Sequence, residues 1–501
     1  MPSMIGQPVR RTEDLRLLTG SGCFADDVNV SGQVYAVMVR SPHAHARIRS
    51  IDGKRALAAG ALAVLTGVDC REDGLGHVPN NPLVSSPPDI RIDNRDGSEI
   101  FLAKQQVLPE DKARYVGEAV AMVVTETLEQ AKDAAELVMV DYEPLKPVCD
   151  TVAAATADAS VVWDELGGNV CIDGDVGDFP GTEAVLAGAH HVVRLATTVS
   201  RVTGVPMEPR AALGIHEGET GRYTLHTTAG GAQAYRQSLA DMFGVDPDLI
   251  RVVLRDVGGS FGPRIALYPE CPLVLWAARR LGRPVKWTSE RTETMLTDCQ
   301  ARDLVVKASL AVSTDGRIQA LETSNLSNLG AYPFSFIPLI KGVEIMPVTY
   351  ALPVAAARAR AVMSNTPATY PYRSAGRPEV VYAMERMIDM AARDLGTEVL
   401  ALVGAGRGRL VGDVGEELCR LALRSLTRGV ADAVVARSAR RVVDAFLGER
   451  RVSFDLALPR RGSHRWDLRA THDLGHGHVL GPSTTIRGDN DGALTVLDAA
   501  T

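Results

Sequence analysis

The amino-acid sequence predicts an α+β protein, and three stretches carry that prediction: a strand–helix–strand unit at 113–148, a strand leading through a glycine-rich turn into a helix near residue 270, and a second helix opening at Pro378. In the first, ARYVGEAVAMVVTETLEQAKDAAELVMVDYEPLKPV, β-branched alternation gives way to Leu128, Ala131, Ala135 and Val138 at helical spacing. In the second, the strand Ile250 to Leu254 enters Asp256-Val-Gly-Gly-Ser-Phe-Gly262, after which Pro269 and Glu270 open a helix. Leu273, Trp276, Ala277 and Leu281 fall on one face of it. Gly282 and Pro284 close it, because glycine accepts the left-handed conformation that ends a helix and proline cannot continue one. The third carries Val381, Met384, Ile388, Ala391 and Leu395 on its apolar face and stops at Gly396. The acidic, glycine-dotted segment from Asp150 to Gly188 has mixed character and is read as a domain boundary.

After Gly396 the texture changes. Residues 397–501 hold fifteen arginines and no lysine, against eight lysines in the first 396 residues. Runs such as GAGRGRLVGD, RSARRVVDAF and LPRRGSHRWD give poor alternation and few strand signals, with a helix expected around Glu416 to Leu426.

A chain of 501 residues is long enough for roughly three domains. With 46% hydrophobic and 23% charged residues it has the composition of a folded globular protein. A net charge of -7 argues against a general nucleic-acid binder. The N-terminus, MPSMIGQPVRRTEDLRLLTG, lacks the apolar core of a secretory signal, and no stretch reaches the ~18 apolar residues of a membrane span, so a cytoplasmic location without a membrane span is expected. The seven cysteines lie far apart with no CxxC pair, which gives no spacing for an iron–sulfur cluster or a structural zinc site in this chain.

Two clusters carry chemistry. Gly258, Gly259 and Gly262 lie in a turn between strand and helix, where backbone N–H groups without neighbouring Cβ atoms can approach an anion closely. The spacing matches neither a Walker A loop nor a dinucleotide fingerprint, and the alternative is a plain tight turn. Phe261 among those glycines fits either a planar ligand or a buried loop anchor. The second cluster is Pro371-Tyr-Arg-Ser-Ala-Gly-Arg-Pro-Glu379, where two arginines meet a helix N-terminus and could hold a phosphate or an oxo group. Its alternative is a solvated loop with Arg373 paired to a carboxylate. Pro206-Met-Glu-Pro-Arg210 carries no chemistry that the sequence explains. His43 and His45 alternate as strand ligands might, but with no carboxylate or cysteine beside them they read as exposed histidines, and no side-chain metal ligand is assigned.

Taken in order, these pieces resemble the molybdenum-binding large subunits of the xanthine dehydrogenase, aldehyde oxidase and carbon monoxide dehydrogenase family. The resemblance runs over residues 5–396, through IGQPVRRTEDLRLLTGSGCFADDV, MVRSPHAHARI, YVGEAVAMVV, VDYEPLKPV, PMEPRAAL, DVGGSFGPRIALYPE, RPVKWTSERTE, NLGAYP and PYRSAGRPEVVYAMERMIDMAARDLG. It implies an N-terminal arm at 1–19, an α/β hammerhead domain at 20–150, a first molybdopterin-binding domain at 165–396 and an unmatched arginine-rich tail at 397–501. It also implies contacts to a molybdopterin dinucleotide and its molybdenum from Gly258, Gly259, Phe261, Gly262, Arg373, Ser374 and Ala375. Electrons would pass to [2Fe-2S] clusters and FAD on partners, an iron–sulfur small subunit and an FAD-binding medium subunit.

The sequence also departs from the family. A glutamate near the C-terminus of a longer chain acts there as general base. Glu416, in Gly412-Asp-Val-Gly-Glu416, echoes its local sequence but directly follows the first molybdopterin domain, so the base is left unassigned and impaired catalysis is expected. A frameshifted or rearranged reading frame would explain both the loss and the tail. Ser374 stands where carbon monoxide dehydrogenases have a copper-binding cysteine, and Ile265 where purine hydroxylases have a glutamate. Thr228-Ala-Gly-Gly-Ala-Gln233 replaces a segment in which many members carry a metal-facing glutamine. A small-molecule aldehyde or N-heterocycle is the remaining substrate class, and the competing reading is an inactive remnant or docking subunit.

Overall fold

Ala119–Thr125, sequence AVAMVVT, is buried at every position in the computed structural model, which describes residues 8–79 and 90–397 and the backbone of four strands between 451 and 497. A strand covered on both faces reads as a continuous apolar run rather than an alternation. It lies in a seven-stranded sheet ordered Ile250–Val253, Arg222–Thr227, Ala211–Glu217, Val285–Thr288, Val34–Arg40, Ala119–Thr125, Ala63–Thr66. Val34–Arg40 joins the two halves of this sheet. It runs antiparallel to Ala119–Thr125, with Tyr35 opposite Thr125, and parallel to Val285–Thr288, with Val34 opposite Val285. One sheet is thus built from two distant stretches of chain, which fixes early and late segments relative to each other.

The helix Leu128–Glu136 packs Ala134 against Val123 of the sheet. The helix Glu270–Leu281 packs Trp276 into a cluster with Met122, Val124 and Leu225. Leu273, Trp276 and Ala277 are buried as their spacing predicts, but burial extends over the whole run Glu270 to Ala278 because sheet and loops enclose the helix. The approach is close: a Cβ on Gly214 would fall 2.5 Å from the Val274 carbonyl carbon. Gly282 ends this helix at φ +64° and Gly396 follows the later helix Arg377–Asp394 at the same angle, both in the left-handed region.

A five-stranded sheet, ordered Val170–Gly177, Val354–Met363, Ile318–Gly330, Leu304–Val312, His191–Val199, carries the second core. The helices Phe179–Gly188, Ile337–Glu344 and Arg377–Asp394 pack on it. In the last helix Met384, Ile388 and Ala391 are buried as their spacing predicts, and the departure is confined to the first turn. Val381 is 37% exposed, and the buried stripe is Val380, Ala383, Met384, Met387, Ile388, Ala391 and Ala392. In that first turn Glu379, also buried, forms an ion pair with Arg302. The mixed segment 150–188 folds into the helices Thr151–Ala154 and Phe179–Gly188 around the edge strand Val170–Gly177. Its acidic residues act partly as helix caps, Asp150 accepting from Val152 and Ala153 N–H groups and Asp178 from that of Gly181.

A three-stranded sheet, Lys112–Ala113, Ala46–Asp52 and Met139–Pro144, completes the first part of the chain. The architecture is α+β, as the sequence predicts. The tail corrects an expectation: Arg451–Ala457, Arg465–Asp473, Thr484–Asp489 and Leu494–Leu497 form a four-stranded antiparallel sheet where few strands were expected. Period-two alternation in RVSFDLA and RWDLRAT is the signal that arginine-rich composition obscured. Glu416 and the helix expected around it lie outside the described residues. No helix among the described residues is long and apolar enough to cross a membrane.

Candidate functional site

The loop that leaves Ile250–Val253 is pinned at both ends. Asp256 accepts from the Arg16 guanidinium and, at 2.7 Å, from the Cys23 N–H, while its own N–H donates to the Cys23 carbonyl at 3.0 Å. Arg16 first, and then the Cys23 amide, hold the Asp256 carboxyl down at about 2. At the next turn the Gly258 N–H donates to Glu208 Oε2 at 2.6 Å, and a Cβ on Gly258 would fall 2.4 Å from that of Glu208. Gly259 at φ +115°, Phe261 at +51° and Gly262 at +110° then turn the backbone through conformations that L side chains avoid.

The second loop meets the first directly. The Arg373 N–H donates to the Phe261 carbonyl at 2.9 Å, and a Cβ on Gly262 would fall 2.1 Å from the Pro371 oxygen. Arg373 at φ +30°, Ser374 at +69° and Gly376 at +80° continue the strain immediately before the helix Arg377–Asp394. Segment 204–207 closes the third side, with Val205 at φ +39° and Gly204 against the ring of Tyr372. Strained non-glycine backbone gathered at one place is a recognised mark of a functional site.

What these loops leave open is donors. Among the described residues, the N–H groups of Gly259, Ser260, Phe261, Gly262 and Ser374 reach no acceptor, and the Arg373 guanidinium makes no ion pair or hydrogen bond. Arg373 and Ser374 are exposed, Phe261 is 49% exposed, and Met207 and Ile265 also present apolar surface at 86% and 47%. The arrangement suits an anionic, partly planar ligand: it offers hydrogen-bond donors and a cation beside an aromatic face.

Beneath the loops lies an ionic layer that the sequence did not reveal. Arg210 donates to Asp298 at 2.6 Å, to Glu270 at 2.5 Å and to Thr297 at 2.5 Å, with its guanidinium 4.0 Å from the Tyr268 ring centroid. Arg40 joins through Glu270 at 2.7 Å and Glu293 at 2.5 Å. Burial works to raise the Glu270 carboxyl, but the charges of Arg210 and Arg40 outweigh it and hold the group at about 2. Arg264, fully buried, donates to the Glu208 carbonyl at 3.0 Å. Glu208 itself accepts from Gly258, from the Thr228 hydroxyl at 2.6 Å and from the Ala25 N–H at 3.3 Å. The unexplained Pro206-Met-Glu-Pro-Arg210 segment therefore holds the loop up from below. Its only sequence signal was a Glu and an Arg opening an apolar strand.

The structure thus brings together every site residue expected from the sequence that falls among the described residues, though not in one role. Gly259, Phe261, Gly262 and Ser374 keep open N–H donors and Arg373 an open guanidinium, whereas Gly258 donates to Glu208 and the Ala375 N–H to the Tyr372 carbonyl at 3.1 Å. Gln233 is exposed on the helix Ala232–Phe243, and Ile265 packs against Gly230. The histidine expectation needs correcting: His45, in the bend just before the strand Ala46–Asp52, is buried at 5% exposure, with Nδ1 3.4 Å from the Lys146 carbonyl. Burial, and then the charges of Lys112 and Arg114, push its pKa down against the pull of that carbonyl. Among the described residues no group of three or more His, Cys, Asp or Glu could hold a metal ion.

Known proteins resemble most of this chain. Residues 162–403 match the molybdopterin cofactor-binding domain family, and residues 19–88 and 83–146 match the aldehyde oxidase and xanthine dehydrogenase a/b hammerhead domain family. The chain is 36% identical over 397 residues to the 6-hydroxypseudooxynicotine dehydrogenase complex subunit gamma of Paenarthrobacter nicotinovorans, covering 78% of this chain and 48% of that protein. It is 32% identical over 410 residues to the carbon monoxide dehydrogenase large chain of Afipia carboxidovorans, covering 77% and 48%. Quinoline 2-oxidoreductase from Pseudomonas putida 86 superposes with a TM-score of 0.73 at 29% identity, over 89% of this chain and 56% of that one. The chain spans about half the length of the curated relatives it matches. It belongs to the family of molybdenum hydroxylase large subunits that includes carbon monoxide dehydrogenases, xanthine dehydrogenases and aldehyde oxidases.

Proposed function

We propose that this chain forms one wall of a molybdenum hydroxylase active site and holds a molybdopterin dinucleotide through Gly259, Phe261, Gly262, Arg373 and Ser374, with Gly258 and Ala375 shaping the two loops. The observation that carries the reading is the junction of two strained loops through the Arg373 N–H and Phe261 carbonyl, flanked by five open backbone donors and an open guanidinium. A cofactor of this class supplies a two-electron oxidation that places a water-derived hydroxyl on an electrophilic carbon. The chain's own part is positional. Arg373 places positive charge beside an anionic group, the free amides orient its oxygens, and the Phe261 ring shields one side from water.

Substrate would meet Ile265 and Met207, an apolar wall that favours an uncharged aldehyde or N-heterocycle. Ser374 offers a hydroxyl where a copper site needs a thiolate, which speaks against carbon monoxide as substrate. Glu208 and Asp256 are occupied in holding the loops, so the general base is assigned outside the described residues. Electrons would leave to [2Fe-2S] and FAD on small and medium partner subunits, as the subunit naming of the relatives supports. Elemental analysis of the chain co-produced with such partners tests the reading. Molybdenum near one per chain is expected, and metal at background level would overturn it in favour of a docking subunit without catalysis.

A further inference from the structure

We infer that Arg302 is a positioning residue that sets the Tyr372–Arg373 turn for anion binding, an inference that rests on the functional reading above. Three contacts converge on its guanidinium: Nη2 donates to the Arg373 carbonyl at 3.1 Å, Nη1 to Glu379 Oε1 at 2.8 Å, and the group lies 5.4 Å from the centroid of the Tyr372 ring. The planar fork thereby ties the strained turn to the first turn of the helix Arg377–Asp394. Glu379 is 2% exposed, and its other oxygen, Oε2, has no partner among the described residues.

A plain helix anchor would not require what the backbone does here. Arg302 stands at φ +67° and Asp303 at +59°, two adjacent non-glycine residues in the left-handed region. Asp303 is locked there by Arg201 Nε at 2.8 Å, by the Thr151 hydroxyl at 2.6 Å and by the Asn328 N–H to its carbonyl at 3.0 Å. Arg201 in turn holds Gln300 at 3.0 Å and the Pro367 carbonyl at 2.9 Å. A chain of bonds thus runs from the floor of the five-stranded sheet, through a strained dipeptide, to the carbonyl of the residue whose guanidinium stays open. Strain maintained by this many side chains is aimed at a target, and the target is the orientation of Arg373.

The test uses the full chain free of cofactor, with inorganic molybdate as probe in isothermal titration. Wild type is expected to bind and R373Q to lose binding. R302K keeps the charge opposite Glu379 but cannot fork to the Arg373 carbonyl, and is expected to bind at least tenfold more weakly. The paired variant R302Q/E379Q removes both buried charges, so neither is left orphaned, and is expected to melt close to wild type while binding equally weakly. Undiminished affinity in both Arg302 variants, or a fall in melting temperature without a fall in affinity, overturns the positioning role alone. No binding by wild type removes the anion-site reading and this inference with it.

Discussion

Gly262→Ala probes the junction of the two loops where the structure is least tolerant. The new methyl carbon would sit 2.1 Å from the Pro371 oxygen, at a residue whose φ is +110°. Holding a side chain in that backbone region costs ~1–3 kcal/mol, and overpacking adds ~1–3 kcal/mol more. Against this stands the hydrogen bond from Arg373 N–H to the Phe261 carbonyl, worth a net ~1 kcal/mol. The larger penalty wins, so the loops should part rather than absorb the clash. Global stability should then fall by only about 1 kcal/mol, while the Arg373 amide loses its protection. Hydrogen exchange read by mass spectrometry on a peptide spanning 371–376, together with thermal melting, measures both. An Arg373 amide as protected as in wild type, alongside a loss of several kcal/mol in stability, would refute the argument that the junction is the weaker element.

Two further perturbations concern the ionic layer and the arm–loop tether. Glu270→Gln should destabilise the fold by about 3–5 kcal/mol in a denaturant titration, since it withdraws a fully engaged carboxylate from buried Arg210 and Arg40; a loss below about 1 kcal/mol would show that the network relaxes freely. Asp256 has its folded pKa depressed to about 2, so its tether between arm and loop is at full strength above the unfolded value near 4 and is lost as pH falls through about 2. Limited proteolysis at residues 10–22 should accelerate across that acid window in wild type, and Asp256→Asn should cut quickly even at neutral pH; equal rates in the two proteins would remove the tether.

Backbone geometry was legible where single residues dictate it. Gly282 and Gly396 mark helix ends because only the left-handed conformation closes them, and Gly258 to Gly262 announce a loop that must approach something closely. The strand Ala119–Thr125 and the helix after it were equally plain as elements, although the alternation read there did not foretell a strand buried at every position. Long-range ion pairing left no local trace. Glu208 reaches Gly258 50 residues on, Arg210 reaches Asp298 88 residues on, and Arg40 reaches Glu270 across 230. Charge on those residues says that a partner exists, not which one. The burial of His45 and the exposure of Val381 in place of Val380 arise from neighbours in space, and period-two alternation in the tail was outweighed by its arginine content.

The most direct test of the central claim is the amount of pterin released per chain, read by fluorescence after oxidation of the chain purified from a cofactor-producing host. About one pterin per chain in wild type and a loss of most of it in Arg373→Gln is the result predicted by a site built from the two joined loops. No pterin in wild type, or the same amount in the variant, would contradict it.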